Sequence, residues 1–194
     1  MTTVFFDIDT QIDFLYPAGA LYVPGAEKIV DAVAGLNRWA ASHDIPVIST
    51  MDAHAENDPE FASWPPHCVA GTAAQQKPSA TLLEKRVVIP NSPCELAVQG
   101  VQQFLLEKQA FDCFTSVNLA PLLDRLGAER SVVYGVVTEI CVRYAALGLL
   151  KMGRRVELVT GAVRSLSEPA RARFVSEFRL AGGLETTVEQ VTGG

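Results

Sequence analysis

Histidine is scarce in this chain: three residues in 194, His43, His54 and His67, none of them in the second half. With no late histidine and no G-x-S-x-G elbow, serine-histidine triads are set aside, and no papain-like signature surrounds any cysteine. Positive charge is sparse too. Sixteen basic against 22 acidic residues give a net charge of -6, without a Lys/Arg run that could track a phosphate backbone, so nucleic acid is not an expected partner. No segment reaches the ~20 apolar residues of a membrane span. The amino terminus, MTTVFFDIDT, lacks the basic and apolar regions of a secretory signal, so the expected location is cytoplasmic. The four cysteines, Cys68, Cys94, Cys113 and Cys141, are scattered without a C-x-x-C pair and read as free thiols.

What is present is an ordinary globular composition, 48% hydrophobic and 20% charged, in a length that predicts a single domain over residues 1–194 with no need of disulfides. Val4 to Ile8 and Pro46 to Thr50 are short β-rich runs on either side of an amphipathic stretch, Glu27 to His43, in which Ile29, Val30, Val33, Leu36 and Trp39 recur at helical spacing. Asp52 to Ser79 is rich in Pro, Asn, His and Gly and reads as a long functional loop or lid. Strands are then predicted at Val87 to Ile89, Gln103 to Leu106 running on to Lys108, Ser131 to Val137, Val156 to Val159 and Leu184 to Thr187. Helices are predicted at Leu119 to Leu126, Cys141 to Met152 and Glu168 to Ala181, the last started by Ser167 and Pro169. This alternation predicts an α/β fold: a doubly wound, mainly parallel, Rossmann-like sheet with helices on both faces.

In such sheets ligands bind beyond the carboxyl ends of the strands. That rule gathers Asp9, Asp52, Lys108 and the turn before Cys141 on one rim. Cys141 follows a strand and opens a predicted helix, a position that favours thiolate and aims backbone N–H groups at a developing oxyanion. With no histidine to serve it, the base is expected to be a carboxylate such as Asp9, and Lys108 would stabilise developing negative charge. Asp52, His54, Glu60 and His67 are ligand types suited to Zn²⁺, Mn²⁺ or Fe²⁺; the alternative is a set of solvated loop residues.

Four segments, FDIDTQIDF (Phe6 to Phe14), WPPHCVAGT (Trp64 to Thr72), LLEKQAFDCF (Leu105 to Phe114) and GVVTEICV (Gly135 to Val142), resemble in order and spacing the isochorismatase-like cysteine hydrolase superfamily. Asp52-x-His54 together with WPPHC resembles its nicotinamidase branch. The resemblance implies a cysteine amidohydrolase with Asp9, Lys108 and Cys141 as catalytic residues, Asp13 as a structural acid, and an oxyanion hole of the Val137 and Cys141 N–H groups beside a cis peptide between Val136 and Val137. It further implies a divalent metal, zinc foremost with manganese or iron as alternatives, on Asp52, His54, Glu60 and His67. Phe14 and Trp64 would flank a flat ring.

The implied substrate is a small heteroaromatic carboxamide, nicotinamide first. Beyond Lys108 the chain reads QAFDCFTS, which is more like general superfamily members, such as ureidoacrylate amidohydrolases and isochorismate-type hydrolases, so those substrates stay open. Two rivals stand beside this reading: a hydrolase in which the metal activates water and Cys141 is merely buried, and a non-catalytic binding module. Tyr16, Leu21 and Tyr22 offer apolar surface for self-association into a homo-oligomer.

Overall fold

Seven parallel strands form one sheet whose order departs from chain order at its centre, β3-β4-β2-β1-β5-β6-β7. The computed structural model describes residues 2–193. The first strand, β1 (Thr3–Ile8), is buried along nearly all its length, and β2 (Val47–Asp52) is buried throughout. This is why both appear as continuous apolar runs rather than alternating ones: a parallel strand covered on both faces has no solvent side. Between them a short helix α1 (Ile12–Leu15), unforeseen because four residues carry no periodicity, precedes α2 (Val30–Ser42). Beyond β2 come β3 (Arg86–Ile89) at the sheet edge and β4 (Gln103–Lys108), which inserts between β3 and β2.

The chain then passes through α3 (Leu119–Arg125) and crosses to the other side of β1 as β5 (Arg130–Val136). It continues outward through α4 (Arg143–Lys151), β6 (Arg155–Arg164), α5 (Glu168–Leu180) and β7 (Leu184–Thr186), and closes with α6 (Val188–Thr192). Right-handed crossovers that leave β1 in opposite directions must lie on opposite faces. Accordingly α2 packs with α6, and α4 packs with α5. The N-terminus of α6 carries a full capping box, Thr187 with Gln190, a T-x-x-Q signal legible in the sequence but not used.

Two predicted bounds are corrected. β6 runs to Arg164 rather than stopping at Val159, because its register with β5 shifts between Leu158 and Val163 and the pairing resumes beyond that irregularity. The predicted helix from Cys141 to Met152 is two pieces: a π-helical turn over Thr138–Val142, then α4. Cys141 therefore lies in the opening, π-helical turn of a helical segment that runs on into α4 without a break.

Gly135 shows how closely the central strands meet at this end. It has φ +117°, and a Cβ there would lie 2.1 Å from the Ile8 carbonyl oxygen, one residue before Asp9. Among the described residues no helix is long and apolar enough to cross a membrane, and all four cysteines are free thiols.

Candidate active site

The strand register places the charged residues. Ile8 pairs with Thr50 on one side and Gly135 on the other, and Asp52 pairs with Lys108, so the carboxyl ends of β1, β2, β4 and β5 converge where the winding reverses. Asp9, the first residue past β1, takes a left-handed φ of 48°, a conformation aspartate tolerates better than most residues. Its N–H meets Thr50, and its Oδ1 accepts from the Thr50 hydroxyl at 2.7 Å. The other oxygen, Oδ2, lies 2.8 Å from the Nζ of Lys108.

Lys108 is fully buried, and its ammonium is shared: Nζ also lies 2.5 Å from Oδ1 of Asp52. The two carboxylates raise the lysine well above the ordinary ammonium range in spite of its burial. Cys141 completes the group, its buried thiol lying in the fields of Lys108, Asp9 and Asp52. Burial pushes this thiol up, Lys108 pulls it down, and the Asp9 and Asp52 carboxylates push it up further. The net effect holds the thiol well above the ordinary thiol range. Burial and the two carboxylates oppose the thiolate that a helix terminus favours. The Val136–Val137 peptide is cis, and the carbonyl of Val137 accepts from both Ile140 and Val142.

Asp52, His54 and His67 form one cluster, with a ligand atom from each within 4.8 Å of the others. All three are buried. His67 donates from Nδ1 to the Pro65 carbonyl oxygen, 2.9 Å away, since a carbonyl only accepts, and this leaves the lone pair on Nε2. The Nε2 of His54 is buried without a partner. Glu60 stands at the margin, its Oε1 3.8 Å from His67 Nε2. The donor set fits a divalent cation on these grounds: two inward imidazole nitrogens, a carboxylate, and two buried carboxylates set against one ammonium, a negative excess that a cation would balance.

The loop that carries the histidines is strapped down by the β1 motif. His54 donates its N–H to the Cys68 carbonyl and accepts from Ala70, a fragment of parallel pairing across the loop. Asp13 accepts from the N–H of Cys68 through one oxygen and from Ala20 through the other, the work of a structural acid. Gln11, overlooked in the sequence, meets both backbone groups of Asp52: its Oε1 accepts from the N–H at 2.7 Å, and its Nε2 donates to the carbonyl at 2.9 Å and to Gln75 O at 2.8 Å. Gln11→Leu is expected to lower stability by roughly 2–4 kcal/mol, because it strands three buried backbone groups. Urea unfolding of the variant against the parent checks this, and an unchanged midpoint would show that water fills the gap.

A cavity of about 230 Å³ opens onto Cys141, Val137, Asp52 and His67. Phe14 and Trp64 are both in its wall, as is Phe111 from the QAFDCF segment, whose ring meets Trp64 edge-on at 6.3 Å. Leu21 and Tyr22 line it too, which corrects their assignment to an outer surface; they and Tyr16 are half-buried, and Tyr22 donates to Glu27. Leu166 reaches the cavity from the far end of β6. It is held there by Glu139, whose Oε1 accepts from the N–H groups of Leu166 and Ser167 at 2.9 and 2.8 Å. No local signal could have found Phe111 or Leu166, since both owe their position to elements distant in the chain.

Comparison with known proteins identifies the family. A family model for the isochorismatase domain matches residues 3–190. The chain is 26% identical to a nicotinamidase of Acinetobacter baylyi, over 92% of this chain and 88% of the relative. It is 27% identical to a maleamate amidohydrolase of Pseudomonas putida, over 80% of this chain and 69% of the relative. The crystal structure of a Pyrococcus horikoshii pyrazinamidase in complex with zinc superposes with a TM-score of 0.80 at 27% identity, covering 96% of this chain and 99% of that one. With the match running almost from end to end and the sheet shared throughout, the chain belongs to the isochorismatase family, on the side of it that includes the nicotinamidases.

Proposed function

We propose that this protein is a cysteine amidohydrolase that converts nicotinamide, or a similar small heteroaromatic carboxamide, to the carboxylate and ammonia. The observation that carries the reading is the Cys141 thiol opening on an aromatic-walled cavity, with the buried Asp9–Lys108 ion pair close enough to act on it. The nicotinamidase and maleamate amidohydrolase relatives support amide hydrolysis.

The substrate ring lies between Phe14 and Trp64, its carboxamide over Cys141. Asp9 takes the thiol proton as the sulfur attacks the carbonyl carbon; Lys108 balances the negative charge that persists on the pair. The N–H groups of Val137 and Cys141 receive the oxyanion. As the C–N bond breaks, Asp9 returns its proton to the leaving nitrogen, ammonia departs and a thioester remains. Asp9 next takes a proton from water, whose oxygen attacks the thioester carbon, and the carboxylate product leaves as the Cys141 thiol reforms. Because burial and the two carboxylates disfavour the free thiolate, the first proton transfer belongs to the reaction and not to the free enzyme.

A divalent ion, zinc before manganese or iron, held by Asp52, His54 and His67 with Glu60 beside them, would offer a Lewis-acid anchor for a ring nitrogen. Its role would be positioning, so stripping it with a chelator is expected to raise KM for nicotinamide far more than it lowers kcat. A collapse of kcat at saturating substrate would favour metal-activated water instead. Phe111 favours a second reading. It projects from the segment that departs from typical nicotinamidases, so a linear amide such as maleamate, or a ureidoacrylate-type amide, is the alternative substrate. Ammonia release from nicotinamide, pyrazinamide, maleamate and a ureidoacrylate amide, with isochorismate as a non-amide control, decides between them. The highest kcat/KM is expected with nicotinamide; a higher value with maleamate would move the assignment to linear amides.

A further inference from the structure

The two histidines of the cluster are set by unlike partners. His67 leans on the carbonyl of Pro65, which every sequence supplies. His54 leans on a side chain: its Nδ1 lies 3.0 Å from Oδ2 of Asp58. The same carboxylate uses its other oxygen, Oδ1, to accept the N–H of Glu60 at 2.9 Å, which caps the turn Pro59–Ala62. Asp58 thus spends one oxygen on the local fold and one on His54. The consequence lies across the ring, where the Nε2 of His54 is buried, bonded to nothing, and 4.0 Å from Oδ2 of Asp52.

From this geometry we infer that Asp58 is the positioning residue of the cation site: it holds the proton of His54 on Nδ1 and so keeps the Nε2 lone pair free for the ion. An imidazole can ligate only through an unprotonated nitrogen, and which nitrogen is free is set by the bond the other one makes. A carboxylate accepts only, so it compels Nδ1–H. It also adds negative charge behind the ring and makes Nε2 a stronger donor to a metal. Asp58 touches neither substrate nor ion, and it escapes a search for ligand spacing because its contact is with the outer edge of the ring. The inference rests on the metal reading above and adds to it the residue that sets affinity.

Asp58→Asn is the sharp test. The amide oxygen can still accept from Glu60 N–H, so the turn keeps its cap, while the NH₂ group now faces Nδ1 and favours the opposite tautomer, with the proton on Nε2. Zinc affinity is measured on metal-stripped protein by competition with a chromophoric chelator, using zinc alone. The wild type is expected to bind one ion, Asp58→Asn to bind roughly 10- to 100-fold more weakly, and Asp58→Glu to recover part of the loss. In heteronuclear NMR of the imidazole nitrogens of stripped protein in mildly alkaline buffer, His54 is expected as Nδ1–H in the wild type and as Nε2–H in Asp58→Asn. His67 should be unchanged in both. A merely structural role would move none of these signals while the circular dichroism stays the same. Wild-type His54 protonated on Nε2 would overturn the inference without any variant. So would undiminished zinc affinity in a folded Asp58→Asn. A wild type that takes up no zinc at all sinks the metal reading and this inference together, whereas tight wild-type binding that survives the substitution sinks the inference alone.

Discussion

Cys141→Ala is expected to lower the rate of ammonia release by roughly 10⁴-fold or more while leaving the fold in place, because in the proposed mechanism its sulfur carries the acyl group. The side chain is buried and small, and its loss strands no partner that Lys108 does not also satisfy: Asp9 keeps its bonds to Thr50 and to the ammonium. Circular dichroism and the unfolding midpoint should therefore change little. A thiol-labelling experiment sharpens the result. Substrate should protect one thiol from iodoacetamide in the parent, and that site should vanish in Cys141→Ala. Turnover retained near the parental rate would assign the chemistry to a metal-held water and leave Cys141 a packing residue.

Lys108→Met is expected to be the most destabilising single change in the site, by about 3–5 kcal/mol, since it leaves the buried Asp9 and Asp52 carboxylates without their shared cation. Its pH dependence has a definite sign. Burial already raises the Asp52 carboxyl, and Lys108 is the largest influence opposing that rise, so removing the ammonium lets the carboxyl climb further. A carboxyl whose folded pKa exceeds its unfolded value favours the fold below the unfolded pKa and loses that contribution as pH rises through the folded one. In metal-free protein the deficit of Lys108→Met should thus be largest near neutrality and shrink as the solution is made acidic. Urea unfolding of parent and variant across that range measures it. A deficit that stays constant or grows in acid would show that the lost cation is not what destabilises the variant.

Much of the architecture was legible in the chain because burial on both faces forces parallel strands into unbroken apolar runs, and the helices between them repeat at their own period. Val4 to Ile8 and Ser131 to Val137 needed nothing else, and their ends foretold the rim that holds Asp9 and Cys141. The bounds that failed did so where one residue could be read two ways. Gly161 ends a strand or bulges it; Thr138 to Val142 opens an α-helix or widens into a π turn, and only packing against neighbours chooses. For the site, residue type and motif spacing named the acids, the lysine, the thiol and the histidines. Their mutual arrangement, with one ammonium set against both Asp9 and Asp52, had no local sign.

Local pattern alone determined where the strands run and which side chains stand at their carboxyl ends, because periodicity and apolar content are properties of short segments. Pairing was decided by the assembled sheet. Asp52 faces Lys108 through register, Gln11 and Asp58 act on atoms far away in the chain or on the hidden edge of a ring, and Phe111 and Leu166 become walls of one cavity only after the winding has reversed about β1. The upward push on the Cys141 thiol belongs to the same class, since desolvation and the fields of three buried charges exist only once the chain has closed around them.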